Sequence, residues 1–333
     1  MKFLKIKKFP KIPKIDKNIV NILLFLISIT LLTYLIMLSD IKKLIELFLR
    51  LNLESIILIL MISTFSLFLW VFRMKFLLER RYKIGFFALF PVHAYSVALS
   101  NMIPGRTSTI MRAAFLKVIK SIPFKFSFVS IFLERLSDII ILTILSTFIV
   151  YYIGFSVYLF PLVIIFCAIF VALALMQSRL LKNLFISFIN RLGLKDKKMK
   201  NDIGIIFRDL KISNFFIIPL AYSLIIWIAN GLIFYITLSS LGAEIDVFKV
   251  IVFYAFSLIV GLVSLLPGGI GSTEAVLTSL LVSSGIDFSV ATASVLIGRF
   301  FTLGYLLFVG IIMSFFIKSE KIENIKKLKR LKD

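Results

Sequence analysis

The chain is 333 residues long and 60% hydrophobic, with a mean hydropathy of +1.05, 36 Phe and a formal net charge of +22. No ordinary soluble domain needs that apolar load, and runs of about 20 apolar residues suit helices crossing ~30 Å of hydrocarbon, so the composition reads as a polytopic membrane protein. Period-2 alternation is too weak for a transmembrane barrel. The basic residues gather in the tails and between apolar runs, a membrane-surface pattern that excludes nucleic acid as partner, and Cys167 alone supports neither a disulfide framework nor a cysteine metal site.

In chain order, residues 1–18 read as a basic cytoplasmic tail, with seven lysines against Asp16 up to Lys17. The run Ile19 to Leu38 is long and has no small-residue cleavage pattern, so it stays as the first span. A mixed-charge amphipathic stretch follows at Ile41 to Leu53. Span two runs from about Ser55 to Phe72, and Arg73, Lys75, Arg80, Arg81 and Lys83 then form a second basic cluster, read as cytoplasmic. Span three, about Ile84 to Ile103, holds the single histidine, His93, read as a helix-to-helix hydrogen bonder.

The chain then breaks at Pro104-Gly105-Arg106. Thr107 to Lys120, with Arg112, Lys117 and Lys120, is too charged for a full span and suits a short re-entrant or interfacial helix. Span four, about Phe126 to Tyr151, carries Glu134, Arg135 and Asp138, whose spacing places them near one helix face. Span five covers about Val157 to Met176, and a polar connector with an amphipathic helix covers 179–211. Span six is about Phe215 to Leu241 and span seven about Phe248 to Leu266. A second break, Pro267-Gly268-Gly269-Ile270-Gly271, precedes a short helix over Ser272 to Ser283. Span eight is about Phe288 to Ile317, and 318–333 is a second basic cytoplasmic tail. The expected fold is therefore all-α, one membrane domain over 19–317, with about eight transmembrane helices and two short re-entrant helices. Eight crossings put both tails inside but leave the basic 179–211 segment outside, against the positive-inside rule.

The two breaks match each other. Ile122 to Arg135 and Ile286 to Arg299 are both thirteen steps, and the Pro-to-Arg distances are 31 and 32. This spacing suggests two repeat-like units, about 84–151 and 248–317, each a span, a short helix and an arginine-bearing span. Transporters built from paired units often hold substrate where discontinuous helices meet. With eight crossings the units share one orientation.

Chemically, glycine-rich helix entries present unpaired N–H groups that suit an anion, and an arginine fork grips phosphate with two hydrogen bonds. The candidate headgroup-binding residues are Arg106, Arg112, Arg135 and Arg299, with Gly268, Gly269 and Gly271 allowing close approach and Pro104, Gly105 and Pro267 breaking the helices. Glu274 either caps its short helix or pairs with Arg299 or Arg135. Glu134 and Asp138 are read as supporting ion pairs, with a purely structural lock as the competing reading. There is no D-x-D pair, phosphate-binding loop or Cys/His cluster, so neither cofactor nor metal is expected and an enzyme is disfavoured.

Together, Pro104-Gly105-Arg106 with Arg112, Glu134-Arg135-Leu136-Ser137-Asp138, Pro267 through Glu274, and Arg299 resemble the membrane domain of the lysylphosphatidylglycerol synthase/flippase family, over about Val20 to Ile317. The resemblance implies a flippase-like domain in the cell membrane, whose relatives are associated with aminoacylated phospholipids or polyprenyl-phosphate-linked sugars. Where relatives often have Gly-Glu after the first motif this chain has Ser108-Thr109, and it ends at Asp333 without the soluble aminoacyl-transferase domain, so it is expected as a stand-alone form. The expected function is transport of an anionic lipid or lipid-linked phosphate. The alternatives are a membrane glycosyltransferase-type enzyme acting on a lipid-linked sugar, and a noncatalytic partner of a separate synthase or glycosyltransferase.

Overall fold

The computed structural model describes residues 17–38, 41–79, 81–102, 108–153, 213–264 and 266–330. The expected fifth span, the 179–211 connector, most of the N-terminal tail and the motif residues Pro104, Gly105 and Arg106 lie outside them. Every regular element among the described residues is helical. A chain this apolar needs that outcome, because a helix satisfies its own backbone where water is absent.

The elements are α1 (Lys17–Leu38), α2 (Ile41–Leu49), α3 (Leu53–Glu79), α4 (Phe86–Met102), α5 (Ser108–Lys120), α6 (Phe124–Thr147), α7 (Ile149–Ile153), α8 (Ser213–Ser240) and α9 (Val247–Val263). A 3₁₀ turn (Pro267–Gly269), α10 (Ser272–Ser283), α11 (Phe288–Arg299), a π turn (Phe300–Gly304) and α12 (Tyr305–Arg330) complete the described chain. The short helix after the second break has the expected bounds. Among the described residues, three helical stretches are long and apolar enough to cross a membrane: Leu53–Glu79, Ile217–Ser240 and Phe288–Ile317. Leu26–Leu38, Phe86–Ala98 and Val247–Val263 are shorter apolar helices.

Two expectations need correction. The second helix does not stop at Phe72; α3 continues to Glu79 and carries Arg73 inside the bundle, fully buried. The two repeat-like units are also opposite in direction. α4 packs back along α5, with the Tyr95 and Phe115 rings 5.3 Å apart, and α9 packs back along α10, where Ser264 and Ser272 hydroxyls meet at 2.9 Å. The first hairpin follows directly from the end of α3. The second leads into α11, whose first turn is tied to α2, just before the start of α3, by Lys43 and Asp287 at 3.0 Å. α11 and α12 then run alongside α3 in the same direction, since Ser63 donates to the Phe301 carbonyl and Thr64 meets Tyr305. The hairpins therefore open at opposite ends of the bundle.

The Pro267–Gly269 turn packs against α4. α12 presses onto α4 as well, at Gly310: a Cβ there would stand 2.3 Å from that of Ala98, so only hydrogen allows this approach. The core divides accordingly. One cluster joins α3, α4, α5 and α6, and another joins α6, α8, α9, α10 and α11, so α6 belongs to both. α6 is in this way the element shared by the two units.

Candidate functional site

Two groups of buried charge sit in this frame, one in each unit. In the first, α5 supplies Arg112 and α6 supplies Glu134 and Asp138. The Arg112 guanidinium grips Glu134 with both terminal nitrogens, Nη2 to Oε2 at 2.9 Å and Nη1 to Oε1 at 3.4 Å, and its Nη2 also stands 3.3 Å from His93 Nδ1 on α4. His93 is thus a helix-to-helix hydrogen bonder, as its sequence setting suggested. Arg73 enters from α3. Its Nη1 donates to Asp138 Oδ1 and its Nη2 to Asp138 Oδ2 at 3.2 Å and to Glu134 Oε1 at 2.9 Å. Ser223 and Trp227, four apart on α8, complete the shell around Asp138: the Ser223 hydroxyl donates at 3.1 Å and the indole N–H at 3.0 Å. Two guanidinium groups thereby face two carboxylates, and the cluster is neutral as a whole. That balance is what permits four charges to lie in an apolar bundle.

Arg135, the first unit's counterpart of Arg299, is not part of this grip. Its side chain is 39% exposed and reaches Asp138 only at 3.9 Å. The residue one step before it, Glu134, faces inward in its place.

In the second unit the charges are exchanged between the elements. The short helix α10 carries the acid, Glu274, and the following helix carries the base, Arg299. Glu274 is used twice: Oε2 accepts from the Gly271 N–H at 2.6 Å, capping α10, and Oε1 accepts from Arg299 Nε. The sequence left capping and pairing with Arg299 or Arg135 as alternatives; Glu274 both caps and pairs, with Arg299. Arg299 Nη2 reaches on to the Gly268 carbonyl at 2.9 Å, so one guanidinium bridges the acid and the broken backbone. The break exists because Gly268, Gly269 and Gly271 adopt φ of 60°, 67° and 88°. At Gly271 this matters twice, since a Cβ would also fall 2.7 Å from that of Leu31. Gly268 is exposed, whereas Glu274 and Arg299 are buried.

The sequence-derived residues thus divide. Arg112, Glu134 and Asp138 converge in one cluster; Arg299, Glu274, Gly268 and Gly271 converge in the other, with Gly269 and Pro267 shaping its turn. Arg135 lies at the rim of the first, and Arg106 lies outside the described residues. Arg73 was missed because a charge after an apolar run ordinarily ends a span. The signal that would have found it is a polar face continuing along the helix through Ser66, Trp70 and Arg73 at helical spacing. Among the described residues no group of His, Cys, Asp and Glu has the makings of a metal site.

Residues 21–310 match the family described as the lysylphosphatidylglycerol synthase TM region. The chain belongs to this family. The match runs through both hairpins and every charged group above, so both clusters lie within the family's membrane region. UPF0104 membrane protein PH1989 from Pyrococcus horikoshii is similar to this chain, at 23% identity over 292 residues. The likeness covers 78% of this chain and 86% of that protein.

Proposed function

We propose that this protein moves the headgroup of an anionic lipid, or of a polyprenyl-phosphate-linked sugar, across the cell membrane, with α4–α5 and α9–α10 entering as re-entrant hairpins from opposite sides. The observation that carries this reading is the Gly268–Glu274–Arg299 arrangement, a helix start and an arginine fork beside an exposed backbone break. A phosphate is suited to the groups that Glu274 now occupies, because the Gly271 N–H and the Arg299 guanidinium are anion donors. Glu274 acts as the resident anion in the absence of substrate: the headgroup displaces it on entry, and its return releases the headgroup. The acyl or polyprenyl chain stays in lipid. Membership of a family named for a phospholipid synthase supports a lipid as the ligand class, and the opposed hairpins support a two-sided route of the kind inverted transporter repeats use.

The test is translocation of fluorescent phosphatidylglycerol in liposomes holding the full chain. Arg299→Gln should lose both lipid binding and translocation. Glu274→Gln, which keeps a capping side chain, should keep binding and lose translocation. Wild-type rates in both variants would refute the assignment. Scrambling by the protein alone would argue against an accessory role, and chemical turnover of a lipid-linked sugar in detergent would favour the transferase alternative.

A further inference from the structure

Buried charge in this bundle is balanced in both units. The first cluster sets Arg73 and Arg112 against Glu134 and Asp138, and the second sets Arg299 against Glu274. Apolar surroundings demand this, because an uncompensated buried charge is strongly destabilising. The second cluster, however, has no positive charge in reserve. α10 carries no charged residue besides Glu274, and α11 contributes Arg299. α9 contributes Tyr254, which lies within electrostatic reach of both and adds no positive charge. α1, whose Ser28 and Leu31 stand against Gly271, has no charged residue from Leu26 to Leu38. The other cation on α9, α10 and α11 is Lys249. It sits at the far end of α9, about 20 Å of helix from the break, with its Nζ 5.8 and 5.7 Å from the Tyr152 and Phe253 rings. His93, the chain's one histidine, faces Arg112 in the first cluster.

A bound headgroup upsets that sum. A phosphodiester carries one negative charge, so Arg299 would face two anions, the phosphate and the Glu274 carboxylate, where both side chains are buried. One guanidinium cannot neutralise both. Uptake of one proton by Glu274 restores neutrality. It also frees the arginine, because a neutral carboxyl loses the charge-assisted bond that a carboxylate makes to a guanidinium.

We propose that Glu274 is a proton-coupling site: its carboxylate takes one proton from water as the headgroup binds Arg299, and returns that proton to water as the headgroup leaves on the other side. Headgroup and proton then cross together, one for one, and no net charge moves. The empty site resets as the neutral Glu274–Arg299 pair. By linkage, a proton on Glu274 strengthens headgroup binding by the same factor that the headgroup strengthens proton binding. This rests on the anionic-lipid reading given under Proposed function and adds the driving force.

The experiment places the full chain in liposomes with fluorescent phosphatidylglycerol and imposes a pH difference across the membrane. The wild type should gather the probe in the leaflet on the alkaline side, by up to about tenfold per unit of pH, beyond protein-free liposomes holding the same gradient. A membrane potential set with potassium and valinomycin at equal pH should leave the distribution unchanged, since no net charge crosses. In detergent, native mass spectrometry should show the wild type retaining phosphatidylglycerol less well as the pH is raised. Glu274→Gln, neutral at every pH, should retain it equally throughout, which also reports that the variant is folded. Translocation that ignores the pH gradient, a shift driven by the potential, wild-type retention independent of pH, or a pH dependence undiminished in Glu274→Gln would each overturn the coupling and leave the anionic-lipid reading standing. Neither retention nor translocation by the wild type would overturn both.

Discussion

Removing Arg73 should damage the fold in a way that a second substitution repairs. Arg73 is fully buried and bonds both Glu134 and Asp138. In Arg73→Gln, Glu134 keeps its two-pronged bond to Arg112. Asp138 keeps only the neutral donors Ser223 and Trp227 and the distant Arg135 at 3.9 Å. The loss therefore falls on one uncompensated buried carboxylate, at about 3–5 kcal/mol for breaking such a pair. In a thermal unfolding experiment on detergent-solubilised protein, followed by circular dichroism, that amounts to a fall in Tm on the order of 10 °C. Arg73→Gln with Asp138→Asn restores neutrality, leaving one guanidinium, Arg112, against one carboxylate, Glu134. It should recover at least half of the loss, because a buried ion pair replaced on both sides costs far less than one broken on one side. An unchanged Tm in Arg73→Gln, or a double variant no more stable than the single one, would refute charge balance as the organising principle of this cluster.

Two further predictions concern the second unit. Gly271→Ala should destabilise by about 2–4 kcal/mol, combining an unfavourable φ with a collision against Leu31, and should lower Tm without altering the expression of inserted protein. At the start of α11, the hydrogen bond from Lys43 and then the Val290 N–H hold the Asp287 carboxyl below its usual range. A carboxyl lowered in the folded state stabilises above its unfolded value, near pH 4, and loses that contribution as the pH falls through the folded value. The α2–α11 tie should accordingly loosen only in acid, read as faster hydrogen exchange at Ser289 and Val290. Asp287→Ala should abolish that pH dependence and cost about 1 kcal/mol for the lost cap; a pH dependence that survives the substitution would rule Asp287 out.

Much of the layout was legible in the chain. Glycine and proline punctuate the second break so strongly that α10 could be bounded before its neighbours were known. In the structure Asp246 and Asp287 cap α9 and α11, accepting from Lys249 and from Ser289 and Val290, a role not assigned to them from the sequence. Orientation was not legible. The first leg of a hairpin and a complete crossing have the same apolar composition, so composition does not distinguish them. What separates them is where the chain turns back, and contacts distant in sequence decide that: Lys43 with Asp287, Tyr152 with Asp246, Tyr82 against Phe126. Once α4–α5 and α9–α10 are hairpins, Ser213 stands at the end of the bundle where α3 finishes, as its neighbour Ser223 on Arg73 requires. That is the end from which α1 rises and to which α12 returns.

By itself the sequence determined the helical membrane class, the two glycine and proline breaks and the acids and bases beside them, because these follow from local backbone freedom and from the cost of charge in hydrocarbon. Only the tertiary structure decided the partners. It set Arg73 on Glu134 and Asp138 across gaps of 61 and 65 residues, turned Arg135 to the rim, and gave Glu274 to Arg299. A buried charge selects its counter-ion by distance in space, and spacing along the chain does not carry that distance.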